Sequence, residues 1–136
     1  MQKVAFASDR SGAFALWLMS ANGGPATQLT PNTLDAAQPD RSPDGKEIAF
    51  IDNTTIPQNS DIFVIDPKGR NLEQLTQGFD NNTDPSWSPD GQKLAFDHGV
   101  IGSPTDLYVM NADGSSPGNI TNTPTVSEAD PDWGSG

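Results

Sequence analysis

Acidic and amide side chains stand in three loops of the sequence, and these residue types suit the binding of a positively charged ligand. They are Asp35, Gln38, Asp80, Asp84, Glu128 and Asp130. If the fold brings the loops together at the mouth of a channel, their oxygens could hold calcium or a basic peptide, because hard cations prefer oxygen ligands. The alternative is local, since an aspartate beside a proline often caps a turn by accepting backbone N–H bonds. The sequence implies no other cofactor.

Catalytic chemistry has weaker support in the sequence. His98 is the single histidine, and Asp97 precedes it. A Ser-His-Asp arrangement stays open on spacing alone, but no Gly-x-Ser-x-Gly elbow marks a nucleophile. Because catalysis needs several groups in mutual geometry, we predict no catalytic residues and no enzyme activity.

Two tryptophans recur at one position of a repeated motif. Trp87 and Trp133 occupy it, and Arg41 takes the same place one repeat earlier. These side chains could line a ligand surface. Packing between repeats is the favoured interpretation for the tryptophans, because both lie in an inner strand beside apolar neighbours.

A repeated sequence motif predicts the strands and turns that position all these residues. Residues 38–45 read QPDRSPDG, residues 84–91 read DPSWSPDG, and residues 130–136 begin another copy as DPDWGSG. The prolines at 39, 85 and 131 are each separated by 46 residues. Such a period is typical of solenoids, propellers and arrays. We divide the chain into one region of three repeats, about 1–45, 46–91 and 92–136, circularly permuted relative to the structural unit.

Each repeat predicts four short strands separated by turns. In the first repeat they cover residues 3–7, 14–19, 27–30 and 37–42; later, 53–60 reads as a polar loop and the last strand lies near 129–133. Residues 107–110 are apolar in succession, which indicates a strand buried on both faces. The sequence therefore predicts an all-β fold of four-stranded blades packed side by side, as in a β-propeller.

The motifs resemble those of a known repeat family. Residues 85–91 (PSWSPDG), 94–96 (LAF), 106–110 (DLYVM), 113–114 (DG) and 120–121 (IT) are similar to the WD40-like PD40 repeat of TolB-type β-propellers. The chain departs from that pattern at Arg41, at Ala15 in place of aspartate, and at residues 134–136. The resemblance covers all three repeats.

The resemblance implies a six-bladed ring and a non-enzymatic interaction module that binds a protein or peptide. TolB-like proteins engage peptidoglycan-associated lipoprotein in the periplasm, but nothing in this sequence identifies that partner. A periplasmic or extracellular location follows from the resemblance only, and the residues leave it unknown. The alternatives are a piece of a larger propeller, such as the gating propeller of a prolyl-oligopeptidase-family peptidase, or an engineered half-propeller.

Three blades cannot close a ring of the usual 4–8 blades. The first repeat begins at the second strand of a blade, and the last copy ends on a first strand. We therefore expect a homodimer of three plus three blades. In that ring Asp130, Pro131 and Trp133 of one copy would complete the blade that contains Val4 and Phe6 of the other.

The composition excludes some classes of partner. The formal net charge of −11 argues against binding nucleic acid through its phosphates, which requires a basic surface. The same charge suits solubility, or attraction of a cationic partner. No stretch approaches the roughly 20 apolar residues of a transmembrane helix, so we predict no membrane insertion.

Overall fold

The computed structural model describes residues 2–56 and 59–134. They form eleven strands in three antiparallel sheets, which we call blades, and sequential strands are neighbours in each. Blade 1 contains β1 (Lys3–Ser8), β2 (Ala15–Ser20) and β3 (Ala26–Gln28). Blade 2 contains β4 (Ala36–Arg41), β5 (Ile48–Ile56), β6 (Asn59–Ile65) and β7 (Glu73–Gln74). Blade 3 contains β8 (Asn81–Trp87), β9 (Lys93–Gly99), β10 (Asp106–Asn111) and β11 (Gly118–Asn119). The all-β prediction of propeller blades is confirmed.

Two sequence predictions of local structure are wrong. The expected loop over 53–60 is largely strand, because β5 continues to Ile56 and β6 starts at Asn59; residues 57 and 58 lie outside the described residues. The polar side chains there form bonds inside the fold, for example Asn59 Nδ2 to the carbonyl of Gly78 at 2.7 Å. The strand expected near 129–133 does not form either. Within the described chain this segment has no adjacent strand with which to pair.

The Ser-Pro-Asp-Gly turn connects the first and second strands of blades 2 and 3. Ser88 Oγ donates to Asp90 Oδ1 at 2.6 Å, and the backbone N–H of Lys93 donates to the same Oγ at 3.0 Å. Gly91 closes the turn at a φ of 70°, which glycine adopts at little cost. Ser42, Asp44 and Gly45 repeat this arrangement in blade 2. The motif therefore fixes the entry to the second strand.

In blades 2 and 3, a threonine just after the fourth strand forms a hydrogen bond to the third strand. Thr76 Oγ1 donates to Asp61 Oδ1 at 2.9 Å and accepts the backbone N–H of Ile62 at 2.9 Å. Thr121 makes the equivalent bond to Asp106 at 3.0 Å. The repeated aspartate and threonine of the motif thus have a structural role.

Two apolar clusters fill the spaces between blades. The first lies between blades 1 and 2 and includes Leu16, Phe50 and Phe63. The second lies between blades 2 and 3 and includes Trp87 and Phe96. Trp87 is 5% exposed, which confirms its predicted role in blade packing.

The turns after the third strands let neighbouring blades approach closely. A Cβ at Gly69 would lie 2.9 Å from the carbonyl oxygen of Leu29, and one at Gly114 would lie 2.8 Å from that of Leu75. Real side chains do not tolerate contacts this short. Glycine at this position therefore belongs to the repeated contact between blades.

Candidate functional site

The inner strands of successive repeats border a shared cleft of about 380 Å³, which we call the axial cleft. Three equivalent segments contribute to it: Gln38, Pro39 and Asp40; Asp84, Pro85 and Ser86; Asp130, Pro131 and Asp132. Each segment begins with the residue that precedes the repeated proline. Residues that are 46 positions apart in the sequence therefore lie together around this cleft.

A strained backbone shapes each of these segments. Gln38, Asp84 and Asp130 have φ values of 52°, 52° and 54°, in the left-handed region that few residues other than glycine occupy. The strand register shifts at the first two of them, between Ala37 and Asp40 and between Thr83 and Ser86. Such bulges redirect side chains and often lie beside functional sites.

Hydrogen bonds connect the three segments across the cleft. Gln38 Oε1 accepts the backbone N–H of Asp84 at 2.9 Å, and Asp40 Oδ2 accepts that of Trp87 at 2.7 Å. The indole N–H of Trp133 donates to the carbonyl of Ser86 at 2.9 Å. The last segment therefore lies against blade 3 in the manner of an inner strand, although no strand pairs with it.

Three carboxyl groups meet at one side of the cleft. Asp84, Asp97 and Asp130 each offer an oxygen within 4.8 Å of the others. Asp97 is 5% exposed; its Oδ2 accepts the backbone N–H of Asp130 at 3.2 Å, and its buried Oδ1 has no hydrogen-bond partner among the described residues. A buried oxygen without a donor is costly, and a bound cation would satisfy it.

Burial governs the protonation of this group. It raises the pKa of Asp97 to about 7, and the negative charge of Asp84 adds to the effect while the N–H of Asp130 opposes it. Burial and the charge of Asp130 also raise the pKa of Asp84. The cluster therefore holds a proton more readily than ordinary carboxylates do, and a cation can take the place of that proton.

Only part of the predicted set of site residues lies in the axial cleft. Gln38, Asp84 and Asp130 do. Asp80 is 3.4 Å from His98 Nε2, outside the cleft, and Glu128 accepts the hydroxyl of Thr123 at 2.6 Å.

The remaining predicted residue, Asp35, lies before β4. Its backbone N–H donates to Asp52 Oδ1 at 2.8 Å. The alternative was that these aspartates cap the turns beside the prolines. Among the described residues, the carboxylates of Asp84 and Asp130 accept no backbone N–H of their own turns.

Sequence reasoning missed Asp97, Asp40 and Asp132 as residues of this site. A signal for Asp97 was present, because it follows Leu-Ala-Phe where the earlier repeats have Ile51 and Ala7. An acidic residue in a position that is otherwise apolar indicates a local departure from packing. Aligning the strands by repeat would have identified it.

Successive antiparallel blades with adjacent inner strands define the class: this is a β-propeller fold of three blades. No protein-family model matches the chain. A curated relative, the Tol-Pal system protein TolB of Geobacter metallireducens, is 50% identical over 46 residues, the length of one repeat. That match covers 34% of this chain and 11% of the relative.

Solved TolB structures superpose over most of the chain. Putative TolB from Agrobacterium tumefaciens is 25% identical with a TM-score of 0.76, covering 86% of this chain and 44% of that one. TolB from Acinetobacter baumannii is 23% identical with the same TM-score, covering 97% and 35%. The repeats of this chain are therefore of the TolB type. The chain spans less than half the length of these relatives.

Peptidases share the fold at lower identity. A puromycin-hydrolyzing peptidase of Mycobacterium tuberculosis is 15% identical with a TM-score of 0.69, and the match covers 87% of this chain and 19% of the peptidase. This likeness shows the fold alone.

Proposed function

We propose that this chain is a non-enzymatic interaction scaffold that completes a six-bladed propeller with a second copy and binds a cationic group of a protein or peptide in the axial cleft. The observation that carries the binding is the acidic cluster with the buried, unpartnered oxygen of Asp97. Calcium is the inorganic cation that fits, because three carboxylates can supply several of its oxygen ligands. The name of one relative, Tol-Pal system protein TolB, favours a partner that belongs to a Tol-Pal system.

Closure of the ring is supported by two open apolar faces. Blade 1 turns Val4, Phe6 and Trp17 away from blade 2, and Val4 is 48% exposed. Blade 3 turns Leu107 and Ile120 away from blade 2, and Ile120 is 60% exposed. The corresponding faces of the two internal contacts pack against each other. A second copy would cover both open faces in the same way.

The repeated glycine contact continues across this junction. The carbonyl oxygens of Leu29 and Leu75 lie against Gly69 and Gly114 of the next blade. Ile120 is the residue of blade 3 that corresponds to these leucines. Gly23 is the equivalent glycine of blade 1; it has a φ of 85°, and a Cβ there would meet nothing within 4 Å. We place Gly23 of one copy on the carbonyl of Ile120 of the other.

Charges at the junction are complementary as well. The Arg10 guanidinium lies 5.1 Å from the ring centroid of Trp17, much as the His98 ring lies against Tyr108 in blade 3. His98 is bonded to Asn82, and the residue one repeat after Asn82 is Glu128. The residue of blade 1 at the position of His98 is Ser8, whose Oγ accepts the Nε–H of Arg10 at 3.1 Å, so Glu128 of one copy would lie beside Arg10 of the other. The segment with Asp130, Pro131 and Trp133 follows directly and pairs with the outer edge of β1.

Calcium titration tests the cleft. We expect calcium chloride to bind the whole protein and to raise its Tm, because a ligand that binds only the folded state stabilises it. Asp97→Asn is expected to weaken binding strongly, since it removes a charge at the centre of the cluster. Isothermal titration calorimetry measures the calcium affinity of the unchanged protein and of the Asp97→Asn variant.

Glu73→Gln is the matched control, because it removes one exposed negative charge on β7. Equal calcium affinity of the Asp97→Asn variant and the unchanged protein would contradict the site. A tri-arginine peptide titrated in the same way tests the cationic group of a protein partner. If neither probe binds, the proposed function of the cleft is wrong.

A further inference from the structure

A second cavity, of about 200 Å³, opens between blades 2 and 3, away from the axial cleft. Its apolar wall is formed by Phe96, Tyr108 and Met110, and its polar end by Asp80, Asn82 and His98. Drug-sized ligands occupy pockets of roughly 300–1,000 Å³, so this cavity suits a smaller molecule. All its walls belong to one chain, which makes it independent of ring closure.

The contact between blades 1 and 2 shows what this space looks like when it serves packing alone. One repeat earlier, Leu34 and Ala36 stand where Asp80 and Asn82 stand, and both pack into the first apolar cluster. Phe63, in the same cluster, takes the place of Tyr108. The same architecture therefore closes with apolar residues at one contact, and the other contact has polar groups around an opening.

Hydrogen bonds orient the histidine toward this opening. Asn82 Nδ2 donates to the carbonyl of Asp80 at 3.3 Å, so its Oδ1 is the acceptor for His98 Nδ1 at 2.8 Å. The proton of the neutral ring is then on Nδ1, and Nε2 carries a lone pair. Nε2 lies 3.4 Å from Asp80 Oδ2, which is also an acceptor. When the ring is neutral both of these atoms are acceptors, and an ammonium group can donate to both.

We infer that this cavity is a binding site for a small primary amine with an aromatic or apolar body. The ammonium group pairs with Asp80 and His98, and the body packs on Phe96, Tyr108 and Met110. The ring of Tyr108 adds a cation–π attraction. The inference goes beyond the proposed function, because it concerns a separate site and a different ligand.

Phenethylamine is the probe that tests this site. We expect it to bind the whole protein at pH 8 in calorimetry and to shift the NMR signals of the Asn82 side-chain amide and the His98 ring. Asp80→Asn is expected to weaken binding roughly 10- to 100-fold, as the loss of a hydrogen bond to a charged group does. The double variant Asp80→Leu with Asn82→Ala installs the residues of the closed contact and should abolish binding.

Two matched controls test whether binding depends on the ammonium group and on this cavity. 2-Phenylethanol has the same body without the charge and should bind much more weakly, and Glu73→Gln should leave the phenethylamine affinity unchanged. The inference is overturned if the alcohol binds as well as the amine, or if the double variant keeps the affinity. Absence of binding at amine concentrations on the order of 10 mM overturns it as well.

Discussion

Asp97 is the central residue of the acidic cluster, although the equivalent positions in the other blades are occupied by apolar residues that pack between blades. In blades 1 and 2 the equivalent residues are Ala7 and Ile51, which face the next blade. In blade 3 the carboxyl group is buried there beside Asp84 and Asp130. Its low exposure and its acidic neighbours both favour the protonated form, so its ionisation is coupled to folding.

This coupling predicts a pH dependence of stability. The pKa of Asp97 is raised to about 7 in the folded protein, whereas an unfolded aspartate has a pKa of about 3.9. The folded state therefore binds the proton more tightly, and the free energy of unfolding should fall as pH rises from about 4 to about 7. Each pKa unit corresponds to about 1.4 kcal/mol, so the fall amounts to a few kcal/mol at most.

Urea unfolding at pH 5 and pH 8, with chelator present, measures that fall. Asp97→Asn should remove most of it, because the amide does not titrate. Glu73→Gln should keep it. The same pH slope in the Asp97→Asn variant as in the unchanged protein would show that another group is responsible.

At the scale of the element, the turn after the third strand decides how closely two blades approach. Gly114 sits on the carbonyl of Leu75, and Gly69 sits on that of Leu29. Sequence reasoning found Asp113 and Gly114 as part of the repeated motif and predicted turns between the strands. It did not predict the contact with the preceding blade, because that contact is between residues far apart in the chain.

Gly114→Ala should destabilise the protein more than Gly102→Ala. Both glycines have nearly the same φ, 85° and 84°, so both variants carry the same backbone strain. Only at Gly114 would the new Cβ meet a backbone oxygen, at 2.8 Å, and overpacking of this kind costs about 1–3 kcal/mol. Urea unfolding of the two variants measures the difference, and equal losses would mean that the blades adjust freely.

At the scale of the molecule, three blades leave two complementary faces. Within the described residues, the outer edge of β1 has no paired strand, and the segment 130–134 has no strand to pair with. The junction contact proposed between Gly23 and Ile120 continues the two internal glycine contacts by one repeat, and the pair of Arg10 and Glu128 is proposed beside it. The proposed closed ring of six blades would bury all of these groups.

Light scattering on a size-exclusion column should give about twice the chain mass of 14.4 kDa. Gly23→Asn should reduce the mass to that of the monomer, because asparagine tolerates the backbone but its side chain blocks the contact with Ile120. Gly102→Asn has a matching φ and open surroundings, and should leave the dimer intact.

Deletion of residues 130–136 provides a second test, since it removes the segment proposed to complete blade 1 of the other copy. An unchanged dimer mass after this deletion would contradict the strand exchange. A monomer in the unchanged protein would contradict ring closure by a second copy, and would leave the axial cleft and the second cavity, between blades 2 and 3, to be tested separately.

The sequence by itself determined the blades. The 46-residue period, the successive apolar residues of the central strands and the Ser-Pro-Asp-Gly turns are local signals, and local hydrogen bonding makes them structure. The sequence also indicated that Asp84 and Asp130 belong together, because they occupy the same position in successive repeats.

Only the tertiary structure decided which other side chains join them. It added Asp97, moved Asp80 to a separate pocket with His98, and showed that residues 53–56 and 59–60 are strand. These outcomes depend on where a bulge turns the chain and on which face of a strand meets the neighbouring blade. Such contacts join residues 13 to 47 positions apart in the chain, so no local pattern records them.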